Sequence, residues 1–286
     1  MAREGGGMRL RAMGVGDVLD ETFRLYRRHF SSFVLVMAVV AVPVAVFSTA
    51  LNLGLGLGGL QGRLESGRDL APALVVGGLL VLVGGIGYLL SSGAAVQLAS
   101  DAIHGRPLDV RAAYRVAFGR LRSLYLATLL TSLATGLLLI TCIGIPFAVY
   151  FGIGWSVTYP TIVLEPLGCV AAMRRSSGLI GGHRWRVLGI VVLISLLVGI
   201  LVSLPSGIVG ALTGVLTTVA PAPGSLIAAQ VVNGIMSALG QALFGSVIWI
   251  TVTILYYELR VRKEAFDLEQ LAERAEALPP PPFYEP

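Results

Sequence analysis

Hydrophobic positions run almost unbroken through this chain, and charge interrupts them at few places. No Lys, Arg, Asp or Glu occurs over 29–62, 70–100, 123–164 or 187–257, stretches of 34, 31, 42 and 71 residues. An apolar α-helix crosses a hydrocarbon core of ~30 Å in about 20 residues. The first two stretches therefore hold one span each, the third holds two, and the fourth holds two long spans rather than three. Turn chemistry divides the long stretches. Gly144-Ile145-Pro146 places a proline where a helix start tolerates its missing N–H. Pro221-Ala222-Pro223-Gly224 is a strong breaker. The predicted spans are about 31–58, 71–100, 123–143, 146–164, 187–219 and 225–257. Lipid satisfies no backbone groups, so spans are helices or a closed barrel, and continuous rather than alternating apolar runs select helices. Pro43, Pro160 and Pro205 fall inside spans and are expected to kink them. The turn at 144–146 closes a hairpin or forms part of a re-entrant loop.

The polar intervals carry their own periodicity. Before the first span, Val15, Leu19, Thr22, Phe23, Tyr26 and Phe30 recur at helical spacing, with Arg24, Arg27 and Arg28 opposite. Before the third, Val110, Ala113, Tyr114, Ala117, Phe118 and Leu121 make a similar stripe, with Arg111 and Arg115 opposite. Before the fifth, Val170, Ala171, Leu179 and Ile180 accompany Arg174 and Arg175 in a weaker copy. Gly16-Asp17-Val18 and Leu108-Asp109-Val110 sit at matching positions, 92 residues apart. The expected fold is all-α. It is a polytopic membrane protein of six transmembrane helices in three hairpins, each preceded by a cytoplasmic amphipathic interfacial helix.

Charge sets the orientation. Of 21 Lys and Arg residues, only Arg63 and Arg68 fall on the side opposite the termini. Positive charge collects on the cytoplasmic side, so both termini are expected there. Residues 1–30 form a cytoplasmic N-terminal segment with its amphipathic helix, 31–258 the membrane domain, and 259–286 a charged helix followed by a Pro-rich tail. The first apolar run is about twice the length of a signal-peptide core and begins late, so it is expected to be retained. Composition agrees: 55% of residues are hydrophobic and only 13% charged, where soluble domains carry about 25% charge. A disordered chain and a disulfide scaffold are excluded. Cys142 and Cys169 fall at opposite ends of spans, too far apart for a disulfide. The basic isoelectric point follows from the positive-inside bias and does not call for nucleic acid.

Candidate chemistry is sparse. The acids Asp101, Glu165 and Glu258 sit at span ends beside arginines, and pairing explains them as well as proton transfer does. No His-x-x-x-His, Cys-x-x-Cys, Gly-x-Ser-x-Gly or Walker pattern occurs, so no catalytic residue, metal site or cofactor is predicted. Two sets of side chains remain. Arg24, Arg27, Arg28, Arg111, Arg115, Arg174 and Arg175 are candidate contacts for anionic headgroups at the cytoplasmic face. Gln230, Asn233, Ser237 and Gln241 share one face of the sixth span, for interhelical hydrogen bonding or for a polar transport path. Small residues at helix-packing spacing, Gly54 and Gly58, then Ser206, Gly210 and Gly214, serve packing within one chain or between two. Tyr88, Tyr150 and Trp155 lie deep in spans and are read as core.

The opening run Gly14-Val15-Gly16-Asp17-Val18-Leu19-Asp20-Glu21-Thr22-Phe23-Arg24-Leu25-Tyr26-Arg27-Arg28 resembles the start of a bacterial integral-membrane family. Residues 256–268, beginning Tyr256-Tyr257-Glu258-Leu259-Arg260, resemble its end, and Trp155 to Glu165, Arg174-Arg175 and Trp185-Arg186 resemble its middle. This is the family labelled the membrane domain of glycerophosphoryl diester phosphodiesterase. Some members carry this region ahead of a soluble barrel that begins with His-Arg-Gly and holds metal with Glu and Asp. Here His183-Arg184 continues to Trp185, inside the membrane region. The resemblance therefore implies a stand-alone bacterial inner-membrane module rather than an enzyme. The expected function is that of a membrane scaffold, or of a module that interacts with lipid, a protein partner or a second copy. A small-solute or lipid transporter is the alternative. A membrane subunit associated with a glycerophosphodiester hydrolase is the third reading.

Overall fold

The computed structural model describes residues 14–57, 70–141, 143–165, 167–219 and 223–276. Among these the chain is all-helical. In order the helices are α1 (Val15–Arg28), α2 (Phe30–Leu57), α3 (Leu70–Ile103), α4 (Val110–Gly119), α5 (Leu121–Leu139), α6 (Gly144–Gly154), α7 (Thr158–Leu164), α8 (Cys169–Ile180), α9 (Arg184–Val219) and α10 (Pro223–Glu276). Six stretches are long and apolar enough to cross a membrane: Phe30–Leu51, Gly77–Ile103, Leu121–Leu139, Gly144–Leu164, Arg184–Val215 and Ile227–Lys263. Gly58, Arg63, Arg68, Cys142, Pro221 and the tail from Ala277 lie outside the described residues.

Helix α10 organises the bundle. It packs on α9 and α2 most extensively, and also on α3, α1, α8 and α7. Its middle turns are sealed, with Val247, Ile250, Ile254, Leu255 and Tyr256 all inaccessible. The hydroxyls buried there, Thr251 and Thr253, donate back to the carbonyls of Val247 and Trp249, the usual way a threonine is satisfied inside an apolar helix. Trp249 stands between Tyr88 of α3 and Tyr159 of α7, at ring-centroid distances of 6.0 and 4.7 Å. The outer surface of the spans is as apolar as the core, with Val81, Leu196 and Leu212 exposed. In water such a surface is an aggregation hazard; against acyl chains it costs nothing. The sequence places a separate charged helix after residue 258. The structure continues the sixth span through it without a break, in one 54-residue helix about 80 Å long.

Prolines act at two strengths. Pro43 and Pro205 are carried inside α2 and α9. Pro160 coincides with a true interruption. Its ring excludes a bond to the Ser156 carbonyl four residues back, and the chain unwinds over Trp155–Val157 between α6 and α7. Three-residue hydrogen bonds bridge the gap, from Ser156 to Ile153 and from Thr158 to Trp155. The Gly154 carbonyl accepts from Ser176 Oγ at 2.8 Å and Ser177 Oγ at 3.3 Å, both from α8. The fourth candidate span is therefore a discontinuous helix sealed by its neighbour. At its other end, between α5 and α6, Gly144 donates to Thr141 Oγ1 at 3.1 Å. Helix α6 begins two residues before the expected proline start and packs on α5.

The buried faces of the short helices overlap the predicted stripes but depart from them at their edges. Helix α1 buries Val18, Thr22, Leu25 and Tyr26, while Val15 and Phe30 are exposed. Helix α4 buries Ala113 and Ala117 and exposes Phe118. Helix α8 buries Ala172, Ser176, Leu179 and Ile180 and exposes Val170 and Ala171. The cause is that each helix lies on protein: α1 on α10, α4 on α3, α8 on α7. Tyrosine hydroxyls fix two of them, Tyr26 donating to the Leu243 carbonyl of α10 and Tyr114 to the Val36 carbonyl of α2. Burial pushes the pKa of each phenol up to about 12, so both remain donors at any physiological pH. Burial, then the charge of Arg28, lowers the pKa of His29 at the α1–α2 junction. The matched Asp17 and Asp109 do different work. Asp109 is the N-cap of α4, accepting from Arg111 N and Ala112 N, whereas Asp17 lies in the first turn of α1 and accepts from Gly14 N.

Candidate functional site

Ionisable side chains gather at one end of the bundle, where α7, α8, α9 and α10 meet. Glu258 is fully buried and pairs with Arg186 across the α9–α10 contact, Nη1 to Oε2 at 3.0 Å, and with Arg262 one turn along. Glu165, just past α7, accepts from Tyr256 Oη at 2.6 Å and pairs with Arg175 Nε at 3.4 Å. On the α3 side, Asp101 accepts from Gln97 at 3.2 Å and faces Arg106 at 3.7 Å. Tyr257 shares a hydrogen bond of 2.8 Å with Ser100, and His104 Nδ1 lies 2.7 Å from the Ser100 carbonyl. Each of these three acids thus has a cation beside it. Glu165 and Glu258 tie helices to one another, whereas Asp101 pairs within α3 and with the loop that follows it.

Three concavities accompany this frame. A groove of about 530 Å³ between α8 and α10 is lined by Glu165, Arg174, Arg175, Gly178, Leu179 and Lys263. Lys263 Nζ donates to the Gly178 carbonyl, holding its ammonium over the groove wall. A second groove, about 570 Å³ between α2 and α10, is apolar, with Val34, Ala38, Val42, Gly234, Ala238 and Leu239 among its walls. A third, of about 160 Å³, opens at the helix break and is lined by Thr131, Thr135, Gly152, Trp155, Thr158 and Tyr159. Thr158 is only 2% exposed, and neither its hydroxyl nor the inaccessible Oγ of half-buried Ser156 has a hydrogen-bond partner among the described residues. Tyr159 is tied to Thr128 at 2.7 Å.

The predicted site residues divide among these features. Arg27, Arg28, Arg111, Arg115 and Arg174 are exposed. Arg24 is exposed and paired with Glu21. Helix α1 lies mainly on α10 and α4 mainly on α3, with α2 touching both. Arg174 and Arg175 are brought together with Glu165 and Lys263, a pairing across 89 positions that no local pattern could show. Gln230 and Ser237 are exposed on α10, and Asn233 and Gln241 half-buried. Ser237 Oγ lies 3.5 Å from Asn233 Oδ1. The groove beside them is lined by apolar residues. Trp155 lines the cavity at the break; Tyr88 and Tyr150, expected in the core, are exposed, Tyr88 with its ring 6.0 Å from Trp249 and Tyr150 under the Arg184 guanidinium at 3.7 Å. Among the described residues no group of three His, Cys, Asp or Glu is placed to hold a metal ion.

An apolar exterior, six candidate spans and, among the described residues, ionisable side chains gathered at one end define an integral membrane protein. Residues 125–276 match the family described as the membrane domain of glycerophosphoryl diester phosphodiesterase, and the chain belongs to that family. The matched stretch runs from α5 to the end of α10, so it contains the groove between α8 and α10 and the cavity at the break. The family is the membrane domain, distinct from the catalytic domain. No curated protein and no solved structure matches the chain.

Proposed function

We propose that this chain is a membrane module without hydrolase chemistry of its own, whose cytoplasmic arginines engage anionic lipid headgroups or an acidic partner surface. In this reading α2–α3, α5–α7 and α9–α10 form three hairpins in a bacterial inner membrane. Helices α1, α4 and α8 lie at its cytoplasmic face, where both termini also reside. The observation that carries the reading is the exposure of arginines on all three short helices, each pinned to the bundle by its buried face. Cations held at this level gain about 1 kcal/mol each from an anionic leaflet. The variant R24Q/R27Q/R28Q/R111Q/R115Q should therefore lose most of the thermal stabilisation that phosphatidylglycerol gives the purified protein over phosphatidylcholine. An undiminished difference between the two lipids would reject the reading.

One observation favours transport of a small uncharged solute as a second reading. A discontinuous span beside a polar cavity is the arrangement transporters use at their binding sites, and the unpartnered Thr158 hydroxyl faces such a cavity. Proteoliposomes of the wild type should then pass glycerol faster than empty liposomes, and Thr158→Val should remove most of that increment. Equal flux with and without the protein would sink the idea.

A further inference from the structure

We infer that the groove between α8 and α10 is a discrete phosphate-binding site, taking the phosphate of an anionic lipid headgroup or of a soluble phosphate ester. The inference rests on the lipid-engaging reading above and gives it a place. Three cations converge there from two helices, Arg174 and Arg175 from α8 and Lys263 from α10, against one carboxylate, Glu165. The charge of the lining favours an anion. Glu165 does not annul this, because it is already shared between Arg175 and the Tyr256 hydroxyl. That sharing also orients the Arg175 guanidinium, whose planar fork matches phosphate oxygens. Lys263, held through Gly178, supplies the compact charge opposite. Leu167, Ala171 and Leu179 complete an apolar wall suited to the carbon skeleton next to the phosphate. The volume of about 530 Å³ is that of a small-molecule site, and basic pockets between membrane helices are where anionic headgroups lodge. The exposed arginines of α1 and α4 take no part, so this site differs from diffuse attraction to a charged surface.

The test uses the full chain, delipidated in a mild uncharged detergent, with short-chain phosphatidylglycerol and inorganic phosphate as probes and short-chain phosphatidylcholine as control. Calorimetry should show saturable binding of phosphatidylglycerol at one site, weakened at least tenfold in R174Q/K263Q. Gly178→Leu supplies a second arm. A side chain there meets no atom within 4 Å at its Cβ, so the fold tolerates it while the groove is filled, and binding should fall as far with every charge in place. Competition by inorganic phosphate would point to a soluble ester; binding of phosphatidylglycerol without such competition would point to a headgroup. No saturable binding, equal binding of phosphatidylcholine, or unchanged binding in both groove variants would overturn the site. If R24Q/R27Q/R28Q/R111Q/R115Q loses lipid preference while the groove variants keep it, the surface reading stands and the groove fails. The reverse pattern keeps the groove and removes the surface reading.

Discussion

Replacing Arg186 with Leu should lower the stability of the protein by about 3 kcal/mol, within the range for a buried ion pair broken on one side. Glu258 is fully inaccessible, and Arg186 reaches it at 3.0 Å from the neighbouring helix. The carboxylate cannot move to water, and loss of Arg186 removes its charged partner from the neighbouring helix while Arg262 stays beside it on its own helix. Removing the acid has a different consequence. Arg186 and Arg262 keep 21% and 29% of their side chains exposed, and long cationic side chains turn towards the interface when released. Glu258→Leu should therefore cost about 1.5 kcal/mol, the low end for a hydrogen bond to a charged group. The double variant R186L/E258L should resemble E258L and not the sum of the two, because replacing both partners by apolar residues is often close to neutral. Thermal unfolding of the four proteins in one detergent checks the order. An E258L protein less stable than R186L would show that the cations, not the acid, are the trapped charges.

That pair also marks where the sequence stops being informative. The six apolar stretches are legible because a bilayer imposes a length and forbids charge, and neither condition depends on which helix packs on which. The interruption between α6 and α7 is legible from Pro160, since the clash of its ring with residue 156 is local. Arg262 as a partner of Glu258 is legible for the same reason, lying one helical turn away. Arg186 is not, because it is 72 positions distant and meets Glu258 only when α9 packs on α10. Lys263 escapes notice among the charges of the tail, since only the continuation of α10 past the membrane brings it over α8. The buried face of α1 departs from its stripe at the edges for a related reason, although Thr22 and Tyr26 are buried as the stripe has them. Its stripe is drawn for a helix lying on lipid, whereas α10 supplies a protein surface that takes Val18 and Leu25 and leaves Val15 exposed. Residue type gives the amphipathicity of a short helix, but the neighbour selects the direction in which it turns.

Helix packing gives the second large effect, and it separates two glycines that look alike in the sequence. Gly240→Leu should cost about 3 kcal/mol, the upper range for overpacking a tight contact, while Gly214→Leu should cost nothing and gain up to about 0.8 kcal/mol from helix propensity. A Cβ at Gly240 would lie 2.7 Å from the Val202 carbonyl oxygen and 3.3 Å from its Cα. Both are main-chain atoms of α9, so no rotamer change relieves the contact and the two helices must separate along an extensive interface. At Gly214 a Cβ meets nothing within 4 Å, although this glycine belongs to the small-residue stripe that spacing selects. Its stripe-mate Gly210 does face α10, but a Cβ there would sit at an ordinary 3.5 Å from the Asn233 amide. Helix propensity favours Leu over Gly by roughly 0.8 kcal/mol at either position, so it opposes the loss at 240 and cannot produce it. A net loss at Gly240 without one at Gly214, read from unfolding in the same detergent, isolates the backbone contact as the cause. Equal behaviour of the two variants would mean that α9 and α10 approach less closely at Val202 than these distances require.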